Sequence, residues 1–476
     1  MKRLILFLLI IIISGCGHKP ATSSFCDQLP EIFPDYTEVT IPKNIAPLNF
    51  RIKENCTKIY AVFKGDKELT IKGKNKIIIP IGKWKSLINK KGEIKVTLKV
   101  KIDGKWIEYK PYNIYISDYE IDYGLCYRRI FPGYGAYNKM GLYQRELATF
   151  NESVLIENTI LPGSCINCHS FAKGDPQKMQ FHIRGKNGGT VIRVGESTKI
   201  VNLKNSVTKS CVYPYWHPTG KYIIYSVNEI KQIFHNIPEM ILDVYDLESD
   251  VVIYDVEKKE LILHPILMKD TQYETFPVFS ADGNKIFFCS ADSVNISTLK
   301  DFTEIKYSLC SIDFNPETGN VGDTITTLYN GDGASVAFPR PSYDGKYIIF
   351  TRSAYGNFSI WHKDSDLWML DLLSNKIRPL NELNSEDTES YHSWSASSNW
   401  VVFSSRRNNG LYTRPYLAHI DSNGVFSKPF ILPQKDPDFY IGMLQSYNIP
   451  EFVTGKVDFS TKILEQPREV ISLQQN

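Results

Sequence analysis

Short stretches of alternating polar and apolar residues, separated by turns, fill the chain between residues 37 and 118. Residues 93–102 (EIKVTLKVKI) alternate strictly, which is typical of a half-buried strand. Residues 58–63 and 76–81 are further strand candidates, and Asp103-Gly104 is a typical hairpin turn. About 80 residues with this pattern predict a small immunoglobulin-like β-sandwich.

The second half of the chain repeats a strand, a tight turn and a second strand rich in β-branched and aromatic residues. Four copies align on Gly220, Gly283, Gly345 and Ser398, which are 63, 62 and 53 residues apart. Repeats of this length predict propeller blades, because each blade needs neighbours to bury both of its faces. The repeat resembles that of TolB-like propellers. The resemblance covers residues 190–455 and implies five to six blades closed by the N-terminal and C-terminal strands, with residues 456–476 as a tail.

The predicted fold class is therefore all-β. The composition agrees, since 13% of the residues are aromatic and the chain contains 29 Gly and 25 Pro. The formal net charge is +3, and removal of Lys2 and Arg3 with a cleaved leader leaves 53 basic against 52 acidic side chains. A general nucleic-acid binder normally has a basic surplus, so this balance argues against that class.

The N-terminus has the pattern of an export signal. Two basic residues precede an apolar run over residues 4–13, which is too short for a membrane-spanning helix. The following Ser14-Gly15-Cys16 resembles a bacterial lipobox, which implies cleavage before Cys16 and a diacylglycerol on its sulfur. An uncleaved anchor is the alternative. Residues 17–36 then form a tether, and the lack of an acidic residue after Cys16 favours the periplasmic side of the outer membrane.

Residues 165–169 (CINCH) match the attachment signature of c-type haem. In this reading Cys165 and Cys168 bind one covalent haem c and His169 is the proximal iron ligand. The segment around the motif, residues 119–189, is predicted to be irregular. A structural disulfide between the two cysteines, a zinc site and a thioredoxin-type redox pair are the alternatives.

The second axial ligand of such a haem has two main candidates, His182 and Met179, and Met140 is a third. The first two are three residues apart, so in a strand they point to opposite faces and only one of them can face the iron. His182 is the slightly preferred ligand.

A candidate ligand-binding loop follows the fourth repeat. It contains Arg406, Arg407, Tyr412 and Arg414, and arginine-rich loops at a propeller mouth can bind anionic groups. A solvated hairpin is the alternative.

The chain as a whole resembles bacterial lipoproteins that join a CxxCH segment to a TolB-like propeller. The resemblance implies this architecture. The leading hypothesis for the function is a lipid-anchored haem protein of the cell envelope that transfers electrons or senses redox state, with the propeller as a protein-docking platform. The alternative is a non-enzymatic scaffold that binds envelope proteins or glycans without haem. No catalytic residue is predicted, although peroxidase-like or glycan-cleaving activity stays open. Of the six remaining cysteines, Cys289 and Cys310 are a candidate disulfide or a pair of buried free thiols.

Overall fold

The computed structural model describes residues 23–132, 139–185, 188–204, 208, 211–237 and 240–475. The predicted leader and the predicted lipidation site Cys16 lie outside these residues. No helix within the described ranges is both long and apolar enough to cross a membrane.

The N-terminal part is a small β-sandwich made of a seven-stranded and a three-stranded sheet. In β8 the buried side chains alternate with more exposed ones, and Asp103-Gly104 forms the turn to β9 with positive φ at both residues. Ser24–Cys26 and Ile32–Phe33 also pair with sandwich strands, so the sandwich takes up part of the predicted tether. Its elements are β1 (Ser24–Cys26), β2 (Ile32–Phe33), β3 (Val39–Ile41), β4 (Phe50–Ile52), β5 (Lys58–Lys64), β6 (Glu68–Gly73), β7 (Lys76–Ile77), α1 (Ile81–Leu87), β8 (Gly92–Ile102), β9 (Lys105–Tyr109) and β10 (Tyr112–Ile116).

The rest of the described chain forms six sheets, which are the blades of a β-propeller. Blade 1 contains β11 (Gly124–Ile130), β12 (Gly141–Glu146) and β13 (Glu152–Glu157). Blade 2 contains β14 (Cys165–Phe171), β15 (Lys178–Arg184), β16 (Gly189–Val194) and β17 (Ser197–Asn202). Blade 3 contains β18 (Cys211–Trp216), β19 (Tyr222–Ile237), β20 (Met240–Asp255) and β21 (Glu260–Leu263).

Three further blades follow in chain order. Blade 4 contains β22 (Gln272–Phe279), β23 (Lys285–Asp292), β24 (Ser308–Asn315), β25 (Asn320–Val321) and β26 (Thr326–Tyr329). Blade 5 contains β27 (Ser335–Pro341), β28 (Tyr347–Ser353), β29 (Asp366–Asp371) and β30 (Ile377–Pro379). Blade 6 contains β31 (Glu389–Trp394), β32 (Trp400–Ser405), β33 (Arg414–His419) and β34 (Phe430–Ile431), and the short helix α2 (Phe439–Gly442) follows it.

The last strands of the chain close the ring and extend two blades. β35 (Ser446–Val453) pairs with β11 and becomes the innermost strand of blade 1, which confirms the predicted closure between N-terminal and C-terminal strands. β36 (Glu469–Val470) and β37 (Ser472–Gln475) add parallel fifth strands to blades 2 and 3. The predicted tail is therefore partly built into the propeller.

The four predicted repeats are the inner hairpins of blades 3 to 6. Their aligned residues Gly220, Gly283, Gly345 and Ser398 all have positive φ, between 60° and 79°, which explains why three of the four are glycine. Blades 1 and 2 occupy most of residues 119–189, where the sequence analysis predicts an irregular segment. The difference has a physical reason, because nearly every residue of β14 is buried and such a strand shows no alternation.

The sandwich is docked against blade 6. Arg51 forms an ion pair of 2.6 Å with Asp438, and Lys76 reaches Asp436 at 2.7 Å. The Asn49 side-chain amide donates a hydrogen bond to the carbonyl of Gln434. One hydrophobic core runs through the sandwich, blade 6 and parts of blades 1 and 5, so the sandwich and the propeller share a packed interface.

All eight described cysteines are free thiols. Cys289 and Cys310 lie on adjacent strands, but Cys289 pairs in register with Leu309 whereas Cys310 pairs with Phe288. Their side chains therefore point to opposite faces of blade 4 and enter different hydrophobic clusters. The pair is not a disulfide in this fold, and the alternative of buried free thiols applies.

Candidate functional site

Each of the six innermost strands contains a bulge at the same place. One residue in each has φ between 46° and 55°, and the pairing with the next strand shifts register there. None of these six residues is glycine, so the packing of their side chains must offset the cost of a left-handed backbone. We call them the axial ring, and they are Cys168, Tyr213, Phe276, Phe338, Tyr391 and Ile449.

Four aromatic members of the axial ring contact one another in sequence around the propeller. The ring centroids of Tyr213 and Phe276 are 4.2 Å apart, those of Phe276 and Phe338 5.5 Å, and those of Phe338 and Tyr391 5.1 Å. This aromatic arc fills the axis on the side of blades 3 to 6. Cys168 and Ile449, on blades 2 and 1, complete the ring with smaller side chains.

A pocket of about 540 Å³ lies against the smaller side of the axial ring. Cys168, Ile449, Tyr213 and Tyr391 line it, whereas Phe276 and Phe338 lie outside its lining. The long hairpin of β19 and β20 supplies one apolar wall, and segments of blades 5 and 6 supply another. The apolar wall residues are Ile230, Phe234, Leu242, Val244, Phe358, Ile360, Trp361 and Leu411.

The long hairpin is anchored to blade 5 at Asp243. The Asp243 carboxylate lies 3.1 Å from Nε2 of His362 and accepts a hydrogen bond of 3.2 Å from the Tyr355 hydroxyl. Burial acts to raise the pKa of Asp243, but His362 and Tyr355 outweigh it and hold that pKa below its usual range. These contacts hold the hairpin wall beside the pocket.

The pocket has a positive lining. Arg128, Arg184 and Arg406 line it, and no Asp or Glu occurs among the described residues of its wall. Arg406 stacks over Trp361 at 4.2 Å, which fixes its guanidinium within the wall. Nε of Arg128 is buried and has no hydrogen-bond partner among the described residues. Such a lining favours an anionic ligand.

Two buried asparagines add hydrogen-bond acceptors to the pocket wall. Oδ1 of Asn167 and Oδ1 of Asn228 have no partner in the described chain, although both residues are about nine-tenths buried. The orientation of Asn228 is fixed, because its amide donates to Asp246 at 2.7 Å. Asp246 also accepts from Tyr307 and Asn357, and burial raises its pKa to about 6. A buried acceptor without a partner is costly, so a ligand with N–H groups would be stabilised here.

The structure separates the residues of the CxxCH motif. Cys165 and Cys168 line the pocket, with Arg184 directly opposite Cys165 in the strand pairing. His169 follows the bulge and lies outside the lining, with its side chain only 3% exposed. Burial and then the charge of Arg128 lower the pKa of His169 to about 4. The imidazole is therefore neutral and enclosed between blades 1 and 2.

The two main candidate axial ligands lie on opposite faces of blade 2, as the strand periodicity predicts. Met179 packs with Phe171 in the cluster that faces blade 1. His182 packs against Tyr225 of blade 3 and contacts the Thr190 hydroxyl at 2.7 Å. It lines a separate cavity, and burial lowers its pKa to about 3. Neither residue lines the pocket that contains the cysteines.

This arrangement does not fit a covalently attached haem. Cys165 and Cys168 line one pocket, but the imidazoles of His169 and His182 both lie outside its lining, so the two thiols and a ligating histidine do not surround one space.

The arginines of the predicted ligand loop also lie in different surroundings. Arg406 reaches the pocket, but Arg407 pairs with the buried carboxylate of Glu389 at 2.8 Å. Arg414 donates to the carbonyls of Gln445 and Tyr440 and stacks on Tyr412, so it supports the fold. The axial ring was not predicted from the sequence. A repeated dipeptide marks it there, because four ring residues precede a proline: Tyr213-Pro214, Phe276-Pro277, Phe338-Pro339 and Ile449-Pro450.

Comparison with known proteins assigns neither a family nor an activity. No protein-family model and no curated protein matches the sequence. A solved chain of the nidogen/laminin complex is 7% identical, covers 64% of this chain and 93% of its own length, and has a TM-score of 0.39. Prolyl oligopeptidase B from Galerina marginata is 10% identical and covers 78% of this chain and 44% of its own, with a TM-score of 0.37. A DUF4784 family protein from Bacteroides caccae is 8% identical over 73% of this chain and 94% of its own, with a TM-score of 0.32. At these scores the likeness is too weak to assign a function, and the propeller is assigned from this chain's own strand pairing.

Proposed function

We propose that the protein is a non-enzymatic β-propeller scaffold that binds an anionic, partly apolar segment of a partner protein in the pocket beside the axial ring. The observation that carries this proposal is the lining, which combines three arginines with apolar walls and contains no acidic residue in the described chain. In this proposal the protein is a lipoprotein of the bacterial cell envelope, anchored through Cys16 on the periplasmic side of the outer membrane. The partner segment then belongs to another envelope protein.

The chemistry of the pocket favours a peptide over a glycan. An extended peptide offers backbone N–H groups to the free acceptors of Asn167 and Asn228. Its carboxylates can pair with Arg128 and Arg184, and its apolar side chains can cover Ile230 and the other wall residues. A neutral glycan has no anionic group to form an ion pair with the arginines.

A binding assay with two peptides tests the proposal. A fluorescein-labelled hexapeptide of alternating Glu and Leu is titrated with the protein, alongside the same peptide with Lys in place of Glu. We expect the acidic peptide to bind at least tenfold more tightly, which corresponds to about 1.4 kcal/mol. Fluorescence anisotropy gives both dissociation constants.

Two charge-reversal variants locate the binding site. Arg184→Glu in the pocket should abolish the preference for the acidic peptide. Lys95→Glu, on the exposed face of the sandwich, changes the net charge equally and should leave binding unchanged. Equal binding of both peptides, or tighter binding of a neutral oligosaccharide such as chitotriose, would contradict the peptide proposal.

A further inference from the structure

We infer that Cys168 and His169 belong to the bulge that every innermost strand contains, here in blade 2. We infer also that the pocket forms beside Cys168 because Cys168 is the smallest residue of the axial ring. On this inference the CxxCH string is not a haem-attachment site. Only the part that concerns the pocket rests on the proposed function.

The bulge repeats with a constant register of side chains. The residue after the ring position is proline in four blades and histidine in two, His169 and His392. Two residues further on, an aromatic side chain occurs in five of the six strands. These are Phe171, Trp216, Phe279, Trp394 and Phe452. Cys168-His169-Ser170-Phe171 therefore matches Tyr391-His392-Ser393-Trp394 position by position.

His392 shows what a histidine does at this position without a CxxCH motif. It is 1% exposed, and its Nε2 lies 2.8 Å from the carbonyl of Ile349, in the second strand of the preceding blade. The corresponding neighbour of His169 is Cys126. His169 differs from His392 in one respect, because neither of its ring nitrogens has a hydrogen-bond partner among the described residues. Burial lowers the pKa of both histidines, to about 3 for His392 and about 4 for His169. Both histidines are therefore neutral, and both are buried between two blades.

The size of the ring residue decides where the pocket forms. Five ring positions contain Tyr, Phe or Ile, and only blade 2 contains a residue as small as cysteine. The pocket lies on that side of the ring, between Tyr213 and Tyr391. The bulge turns Cys168 toward the same space as Cys165, although residues three apart in a regular strand face opposite sides. A phenylalanine at position 168 would extend the aromatic arc into the pocket.

The first test changes the size of the ring residue. Cys168→Phe should keep the circular dichroism spectrum of the wild type and weaken binding of the Glu-Leu hexapeptide at least tenfold. Cys168→Ser should bind the peptide like the wild type. Unchanged binding by Cys168→Phe would overturn the role of Cys168. If the wild type binds neither peptide, the proposed function fails, and the second test still decides the identity of the motif.

The second test replaces each histidine with the residue found in the other four blades. His169→Pro and His392→Pro should both fold, with melting temperatures within about 4 °C of the wild type. Failure of either variant to fold would overturn the repeat equivalence. Protein made together with a c-type haem maturation system should give no pyridine haemochrome spectrum. A covalent haem that is lost in His169→Pro would overturn the inference.

Discussion

The inner strands of blade 2 and blade 6 have the same backbone and different consequences. Both contain the left-handed bulge, with φ of 51° at Cys168 and 46° at Tyr391, and both follow it with a buried histidine. In blade 6 the tyrosine extends the aromatic arc, whereas in blade 2 the thiol leaves room for the pocket. Both strands thus share the bulge and the buried histidine because they are copies of one repeat. The side chain at the ring position, Cys168 or Tyr391, determines whether a pocket forms beside it.

The largest effect should come from cutting the aromatic arc. Phe338→Ala removes a ring that contacts Phe276 and Tyr391 and is 1% exposed, so we expect a loss of about 3–5 kcal/mol in the free energy of unfolding. Cys168→Ala, on the pocket side, should cost about 1 kcal/mol or less. Urea unfolding measures both. Equal losses would mean that the two sides of the ring are packed alike.

A second difference lies two residues before the ring position. Blade 6 has Glu389 there, buried and paired with Arg407, whereas blade 2 has the apolar Ile166. Arg407→Ala leaves a buried carboxylate without its partner and should cost about 3 kcal/mol. Ile166→Val should cost about 1 kcal/mol. A neutral outcome for Arg407→Ala in urea unfolding would show that Ser385 and Ser405 alone satisfy Glu389.

A smaller effect should appear in the pH dependence of stability. His169 and His392 have lower pKa values in the folded protein than in the unfolded chain, so the unfolded chain takes up protons first. Their contribution is complete above about pH 6.5 and is lost as the pH falls toward 4. His169→Gln and His392→Gln should each flatten the loss of stability over this range, by about 1–3 kcal/mol.

Denaturant unfolding at several pH values measures this effect in both blades. Glu451, whose pKa burial raises to about 8, is common to the wild type and the variants and cancels in the comparison. Matching changes in the two variants would support the equivalence of the two histidines. A flattened pH profile of stability in His392→Gln alone would contradict it.

The sequence predicts the parts of this molecule that depend on local chemistry. The hairpins at Gly220, Gly283 and Gly345 follow from turn residues that adopt positive φ, and β8 follows from its alternation. The strand at Cys165–Phe171 was not predictable in this way, because burial on both faces removes the alternation that identifies a strand. The pocket depends on contacts between ring residues that are at least 45 positions apart in the chain, and on the size of one of them.

The haem prediction rests on a five-residue motif alone. Cys165, Cys168 and His169 have the spacing of an attachment site, but the signature needs a backbone that brings the three side chains to one group. Here both thiols line one pocket, but His169, His182 and Met179 lie outside its lining. The same bulge recurs in the other blades, in four of them with a proline after the ring residue. This recurrence indicates that the motif belongs to the repeat.

The claim that the CxxCH motif binds no haem can be tested by intact-mass spectrometry of the native protein after brief alkylation with a maleimide. The protein should be exported by a host that carries a c-type haem maturation system. We predict a haem-free polypeptide in which the half-exposed Cys165 is alkylated, while the buried Cys289 and Cys310 react only after unfolding. A mass increased by one haem, with Cys165 blocked to the maleimide, would contradict this claim.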